Sequence, residues 1–257
     1  MTTYLDRIVE RHRELTADDT RTVATLVAEA ASMPATRGFR RALAESGGLA
    51  VIAEIKRRSP SKGDLNAALD PADLARAYER GGASCLSVLT DQEFFGGSPS
   101  DLRTARAACS LPVLRKDFTV SVLDVADARL MGADCVLLIA AALEPGELAE
   151  LHGLAIESGL DVLVEVHDEA ELDVALAAGA TLIGVNQRDL TTFEVDHQRA
   201  LRMAGVIPAD VVKVAESGIR GGEDARALRD AGYDAILVGE TLVTSGDPAR
   251  TIGELLT

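Results

Sequence analysis

Along most of the chain, short runs of β-branched and aliphatic residues alternate with longer stretches rich in Ala, Leu, Glu and Arg. The runs are LAVIAEIK (49–56), SCLSVLT (84–90), LPVLRKD (111–117), DCVLLIA (134–140), DVLVEV (161–166), TLIGVN (181–186), VVKVAES (211–217) and DAILVGE (234–240). Their nearly continuous apolar character predicts strands buried on both faces, as in a parallel sheet. Their first residues lie 35, 27, 23, 27, 20, 30 and 23 positions apart, the spacing of repeated strand–helix units. The amphipathic stretches between them predict helices with defined ends. Asp70-Pro71 opens one and Gly81-Gly82 stops it; Ser121 opens a second that ends at Gly132. Pro145 starts a third closed by Gly159, and Asp168 precedes a fourth that stops at Gly179.

Eight such units predict an α/β fold, a single (β/α)8 TIM barrel over residues 49–257. An open doubly wound sheet usually has fewer parallel strands, and closure removes both exposed edges. Residues 1–48 stand outside the repeat, with apolar positions at helical spacing in 3–14 and 19–31. They predict one or two extra helices packed on the barrel, then a connection punctuated by Pro and Gly, the whole forming one structural domain.

Composition narrows the partners. With 26 Lys and Arg against 41 Asp and Glu, the net charge of −15 opposes binding to nucleic acid or to an anionic membrane. A small phosphorylated ligand stays compatible, because a few cations and backbone amides hold one locally. Three cysteines, Cys85, Cys109 and Cys135, sit in or beside apolar runs without metal-ligand spacing. The charged N-terminus and the lack of any membrane-length apolar run predict a cytoplasmic protein.

In a barrel of this kind, function sits at the C-terminal ends of the strands. In the first run Ile52, Glu54 and Lys56 share one face and Val51, Ala53 and Ile55 the other, which turns Glu54 and Lys56 toward the barrel axis. Lys116 ends the third strand, Glu165 the fifth, Asn186 the sixth and Glu216-Ser217 the seventh. Three carboxylates, two lysines and an amide thus converge on one mouth. Buried charges are costly unless paired or used, and close Lys–Glu groups provide the opposed proton affinities that acid–base chemistry needs. A salt-bridge network that merely closes the barrel is the alternative. Gly218, Gly221 and Gly222 follow the seventh strand and Gly239 the eighth, where Glu240-Thr241 opens a short helix. These are the two loops that commonly hold phosphate in this fold. Phe94, Phe95 and Phe118 follow mouth strands, as ring contacts for a flat substrate or as caps on the core. His167 lies two residues beyond Glu165 and serves either a ligand or its loop; His12, His152 and His197 read as surface residues. No metal-binding cluster and no dinucleotide fingerprint is present, so neither metal nor cofactor is expected.

The segment VIAEIKRRSPSKG (51–63) resembles the signature of the indole-3-glycerol-phosphate synthases. The resemblance continues in order through SVLTDQEFFGGS, VLRKDF, VLVEVH, IGVNQRDL, VAESGI and VGETLV, and spans essentially the whole chain. It implies a phosphate-binding barrel of tryptophan biosynthesis. Such an enzyme converts 1-(2-carboxyphenylamino)-1-deoxyribulose 5-phosphate to indole-3-glycerol phosphate, carbon dioxide and water. By resemblance, Lys116 is the general acid at the substrate carbonyl, and Glu165 the carboxylate of proton transfer in dehydration. Lys56 contacts the anionic substrate and serves as a proton donor in the later step. Glu54, Asn186 and Glu216 hold these groups and the substrate. Ser59 and Arg188 lie near the substrate carboxylate, and Pro60, Phe95 and Phe118 surround the anthranilate ring. Ser217, Gly218, Gly239 and Glu240 fall in the phosphate loops. Gln187 stands where many relatives have Asn, and Thr241 where Ser or Ala is common; both bear on loop contacts only.

Two other functions fit parts of this pattern. A phosphoribosylanthranilate isomerase, or a related sugar-phosphate isomerase, would share the phosphate loops but not the EIK segment together with KDF and Glu165. A noncatalytic sensor of phosphorylated ligands would not need Lys116.

Overall fold

The computed structural model describes residues 3–189 and 192–257. Eight parallel strands close into a barrel: β1 (Ala50–Ile55), β2 (Cys85–Leu89), β3 (Val113–Lys116), β4 (Cys135–Ile139), β5 (Asp161–Val166), β6 (Leu182–Asn186), β7 (Val212–Glu216) and β8 (Ala235–Val238). Each pairs with its neighbours in sequence, and β1 closes the ring by pairing with both β2 and β8. The alternation expected for β1 holds. Val51, Ala53 and Ile55 face the helical layer, whereas Ala50 and Ile52 join Leu114, Leu163 and Leu182 in the interior. That interior is a packed layer below the mouth, so polar residues one turn higher along the strands stand on an apolar floor.

The helices between strands carry the predicted ends. Asp70 caps α4 (Pro71–Gly81) and Ser121 caps α6 (Val122–Met131) through side-chain oxygens on first-turn amides. Gly82 and Gly132 leave these helices at φ 91° and 88°, a left-handed conformation that L side chains rarely adopt.

Residues 1–48 differ from the expectation in one element. Helices α1 (Tyr4–Ala17) and α2 (Val23–Ala31) form as predicted, but a third helix, α3 (Phe39–Ala44), occupies what reads in sequence as a connection. It spans six residues, too few to reveal a helical period, and follows Gly38 at φ 75°. Its role is tertiary: Phe39 and Leu43 are buried in the barrel interior and plug the end opposite the mouth. Arg37 ties the approach to α3 down, donating to the carbonyls of Arg106, Cys109 and Leu111.

At the other end α1 lies across the mouth. Arg11 pairs with Glu93, Arg13 with Glu147, and His12 with Asp91 at 3.1 Å and Asp117 at 3.7 Å. The surface reading of His12 is therefore wrong. Burial opposes its charged form, but Asp91 and Asp117 outweigh that and raise its pKa. His152, also read as a surface residue, is buried on the inner face of α7 (Pro145–Glu157) with Leu148 and Leu151, and burial lowers its pKa. Both histidines lie in charged or mixed stretches, and only the packing partner decides which face of a helix is covered. Among the described residues, no helix is long and apolar enough to cross a membrane.

Candidate active site

The residues that the resemblance assigns to the site all line one cavity of about 570 Å³ at the C-terminal ends of the strands, whereas Phe94, His167, Gly221 and Gly222 do not line it. Lys116 stands at its centre. Its Nζ donates to Glu165 Oε2 at 2.8 Å and to Glu216 Oε2 at 2.9 Å, bringing β3, β5 and β7 together. Asn186 Nδ2 donates to the other Glu165 oxygen at 2.9 Å, and its own Oδ1 accepts the Arg188 backbone N–H at 3.0 Å. From β1, Lys56 Nζ reaches Glu54 Oε1 at 2.5 Å, and Ser87 of β2 donates to Glu54 Oε2. The two lysines are thus held separately, Lys56 by Glu54 at the end of the same strand and Lys116 by the carboxylates of β5 and β7 across the barrel mouth.

The electrostatics separate the carboxylates. Burial disfavours the Lys116 ammonium, but Glu165, Glu216 and Glu54 overcome it and hold Lys116 protonated well above the lysine range. For Glu165, burial is outweighed by Lys116, His167 and the Asn186 hydrogen bond, and its pKa falls. Glu216 goes the other way. Burial, with repulsion from Glu165 and Glu54, exceeds the pull of Lys116 and pushes it up to about 7. Its Oε1 has no hydrogen-bond partner among the described residues. A largely buried lysine between one carboxylate of lowered pKa and one raised to about 7 has the opposed proton affinities needed to give and take protons.

Around this polar centre the cavity has two kinds of wall. Leu5 and Ile8 of α1, Pro60, Phe95 and Phe118 form an apolar side. The rings of Phe95 and Phe118 lie 6.2 Å apart, and Asp91 fixes the Phe95 loop by accepting the amides of Phe94 and Phe95. Phe94 itself turns away and packs edge-on against Tyr4 at 5.9 Å. Ser59 and Pro60 belong to a small antiparallel turn, Arg58–Ser59 with Gly63–Asp64, that rises after β1. The opposite side is backbone. Ser217 and Gly218 adopt φ 66° and 74° in succession after β7, an arrangement that costs free energy at the serine and recurs at ligand-holding turns. Gln187 donates to the Ser217 carbonyl and Thr241 to that of Ile219, which ties this loop to Gly239 and to helix α11 (Glu240–Val243) after β8. Successive amides in such turns make an anion-binding concavity. Glu240 lines it too, with its carboxylate paired outward to Lys62 at 3.5 Å.

Several site residues are not evident in the sequence. Leu5 and Ile8 read as packing positions, and Phe193, Val195 and His197 belong to a loop after β6 outside the repeat. Gly184, in the middle of β6, is the least visible. A Cβ there would stand 2.1 Å from Glu216 Oε1, so the glycine makes room for that carboxylate. Gly184→Ala is expected to lower stability by roughly 1–3 kcal/mol through overpacking. With Glu216 displaced from Lys116, it should also reduce turnover about tenfold, a modest fraction of what positioned acid–base groups contribute. Calorimetry and kcat measured on the same preparation check both.

One further cluster draws a metal question. His12, Asp91 and Asp117 offer ligand atoms within 4.8 Å of one another. Their oxygens already serve the structure, however: Asp91 on the Phe94 and Phe95 amides, and Asp117 on the Phe118 amide, Thr90 and Arg115.

Relatives agree with this architecture. A model of the family described as indole-3-glycerol phosphate synthase matches residues 5–255. The "Indole-3-glycerol phosphate synthase 2" of Streptomyces coelicolor is 55% identical over 236 residues, 92% of this chain and 91% of that protein. Among solved structures, a thiamine phosphate pyrophosphorylase from Pyrococcus furiosus superposes with a TM-score of 0.59 at 17% identity, over 80% of this chain and 93% of that one. The N-acetylmannosamine-6-phosphate 2-epimerase from Clostridium perfringens superposes with a TM-score of 0.60 at 14% identity, over 76% and 87%. At such identities those two speak for the barrel alone. The breadth of the family match and the 55% identity decide the rest: this chain belongs to the indole-3-glycerol phosphate synthase family.

Proposed function

We propose that the cavity converts 1-(2-carboxyphenylamino)-1-deoxyribulose 5-phosphate to indole-3-glycerol phosphate, carbon dioxide and water. The observation that carries the division of labour is Lys116, held between Glu165 and Glu216 at the cavity's centre, where their charges raise its pKa. The substrate's phosphate rests on the Ser217–Gly218 and Gly239–Glu240 backbone, and its aromatic ring lies between Phe95 and Phe118 against Pro60, Leu5 and Ile8. Its carboxylate faces Ser59, Arg188 and Lys56. Held so, the ring carbon bearing the carboxylate is brought to the ketone carbon, which removes most of the entropic cost of closure.

Ring closure forms that carbon–carbon bond and leaves the carbonyl electrons on oxygen, which takes the proton of Lys116. Positive charge develops on the nitrogen-containing ring opposite, where the carboxylates of the site stabilise it. The carbon–carboxylate bond then breaks, its electrons restore the aromatic ring, and carbon dioxide leaves. In dehydration the new hydroxyl departs as water with a proton from Lys56, while Glu165 removes a proton from the ring methylene. Counting protons, two are given and one is taken back, so each turnover consumes one when the substrate carboxylate starts ionised. No electron changes hands between substrate and an external acceptor.

Purified protein given this substrate is expected to produce indole fluorescence together with stoichiometric carbon dioxide, and exhaustive chelation should leave the rate unchanged. Isomerisation of phosphoribosylanthranilate in place of indole formation would overturn the reading, as would tight binding of the substrate without turnover. Complete loss on chelation, restored by one metal, would recast the carboxylates as ligands.

A further inference from the structure

His167 is a partly buried titratable group that the steps above do not use. It follows β5 directly, two residues beyond Glu165, so it points to the same end of the barrel. Its backbone N–H and its Nδ1 both meet Glu171 Oε2, at 2.7 and 3.0 Å. Glu171 belongs to the first turn of α8 (Glu169–Ala177), with its own amide capped by Asp168 at 2.9 Å. The other ring nitrogen, Nε2, is buried with no hydrogen-bond partner among the described residues, and stands 3.8 Å from Glu165 Oε1. Glu165 is therefore flanked by Lys116 on one oxygen, and by Asn186 and an imidazole on the other.

We propose that His167, backed by Glu171, is a positioning residue for this reaction: its ring sits as a cationic partner behind Glu165 and keeps that carboxylate in the base form that dehydration uses. The inference rests on the reading of Glu165 given above.

The chemistry of the ring supports it. An anion at Nδ1 holds a proton there in the neutral ring, which leaves Nε2 as the nitrogen that gains or loses charge. Unprotonated, Nε2 would turn a lone pair toward the Glu165 carboxylate, two acceptors face to face. Protonated, the ring donates to Glu171 on one side and faces Glu165 with N–H on the other. The charged groups facing it from its surroundings are Glu165 of β5, Glu171 of α8 and Arg199 of α9 (Arg199–Met203), the last opposing. Burial disfavours the charged ring, but the two carboxylates prevail and its pKa is raised. A hydrogen-bonding reach of 3.8 Å is long, as such contacts commonly are before substrate tightens a site.

A direct test titrates the Glu165 side-chain carboxyl by carbon-13 NMR, assigned through Glu165→Gln, in the wild type, His167→Gln and Glu171→Gln. His167→Gln is expected to raise the Glu165 titration by about one pH unit, equivalent to tenfold in its proton affinity. Glu171→Gln should move it in the same direction by less, since the ring stays but loses the anion favouring its charge. The acid limb of the kcat–pH profile should follow each shift, with KM unchanged, and imidazole added to His167→Ala should restore kcat on that limb. A Glu165 titration unmoved in a folded His167→Gln protein overturns the proposal, whatever kcat does. The NMR readout needs no turnover: a wild type that binds but does not make indole would sink the reaction assigned above while leaving this test intact.

Discussion

Replacing Lys116 by Ala is expected to lower kcat by at least roughly 10²-fold, the lower end of what a positioned general acid contributes. The loss should fall on kcat more than on KM, because in the proposed binding mode the substrate's phosphate and ring rest elsewhere in the cavity, on the backbone after β7 and β8 and between Phe95 and Phe118. The same change has a structural consequence. Lys116 is the cation shared by Glu165 and Glu216, both only 2% exposed, and its removal leaves two carboxylates facing each other in the barrel. Breaking a buried ion pair from one side costs about 3–5 kcal/mol before the survivors respond. Here they respond by protonating, so Lys116→Ala should be less destabilised at acidic pH than at neutral pH. Calorimetry across pH, with single-turnover kinetics on protein shown to be folded by circular dichroism, checks both effects. Near-wild-type turnover in folded Lys116→Ala would remove Lys116 from the chemistry and return the cluster to a purely architectural role.

Loss of the phosphate anchor should be comparably severe. Hydrogen bonds to a charged group contribute about 1.5–3 kcal/mol each, so two backbone donors lost together weaken binding by roughly 10²-fold or more. Dephosphorylated substrate is therefore expected to bind at least about that much more weakly, with inorganic phosphate or sulfate competing for the site. Gly218→Val should reproduce the loss from the protein's side. The residue sits at φ 74°, and a Cβ there would approach Val195 Cγ1 to 2.5 Å and His197 Cε1 to 3.0 Å. Both strain and collision push the loop out of the anion's path. Titration calorimetry with the two ligands decides it; equal affinities would mean that these loops serve only to connect β7 and β8 to the helices that follow.

The eight strands were legible because a strand buried on both faces has little choice of residue, and the glycines and caps between them mark where each helix must turn back. LAVIAEIK reads as a strand and forms one from Ala50 to Ile55, with its alternation intact. The polar site was legible for the complementary reason. A Lys or Glu inside such a run is expensive, so Glu54, Lys116, Glu165 and Glu216 announce themselves as exceptions. Short or context-dependent features were not legible. Helix α3 is too brief to show a period; His12 and His152 acquire partners only from distant segments; Leu5 and Ile8 are apolar positions like any other on an amphipathic helix.

What the sequence by itself determined is therefore the barrel and the charged groups gathered at one end of it, because each follows from local burial and the repeat. Tertiary structure decided how those groups divide their charge. Lys116 is 49 positions from Glu165 and 100 from Glu216, and only closure of the ring brings them within 2.9 Å. Burial, with repulsion from Glu165 and Glu54, then pushes the Glu216 carboxyl up to about 7, while Lys116, His167 and Asn186 hold the Glu165 carboxyl below its ordinary value. Proton affinity depends on distance and dielectric, and neither is written in the order of residues along a chain.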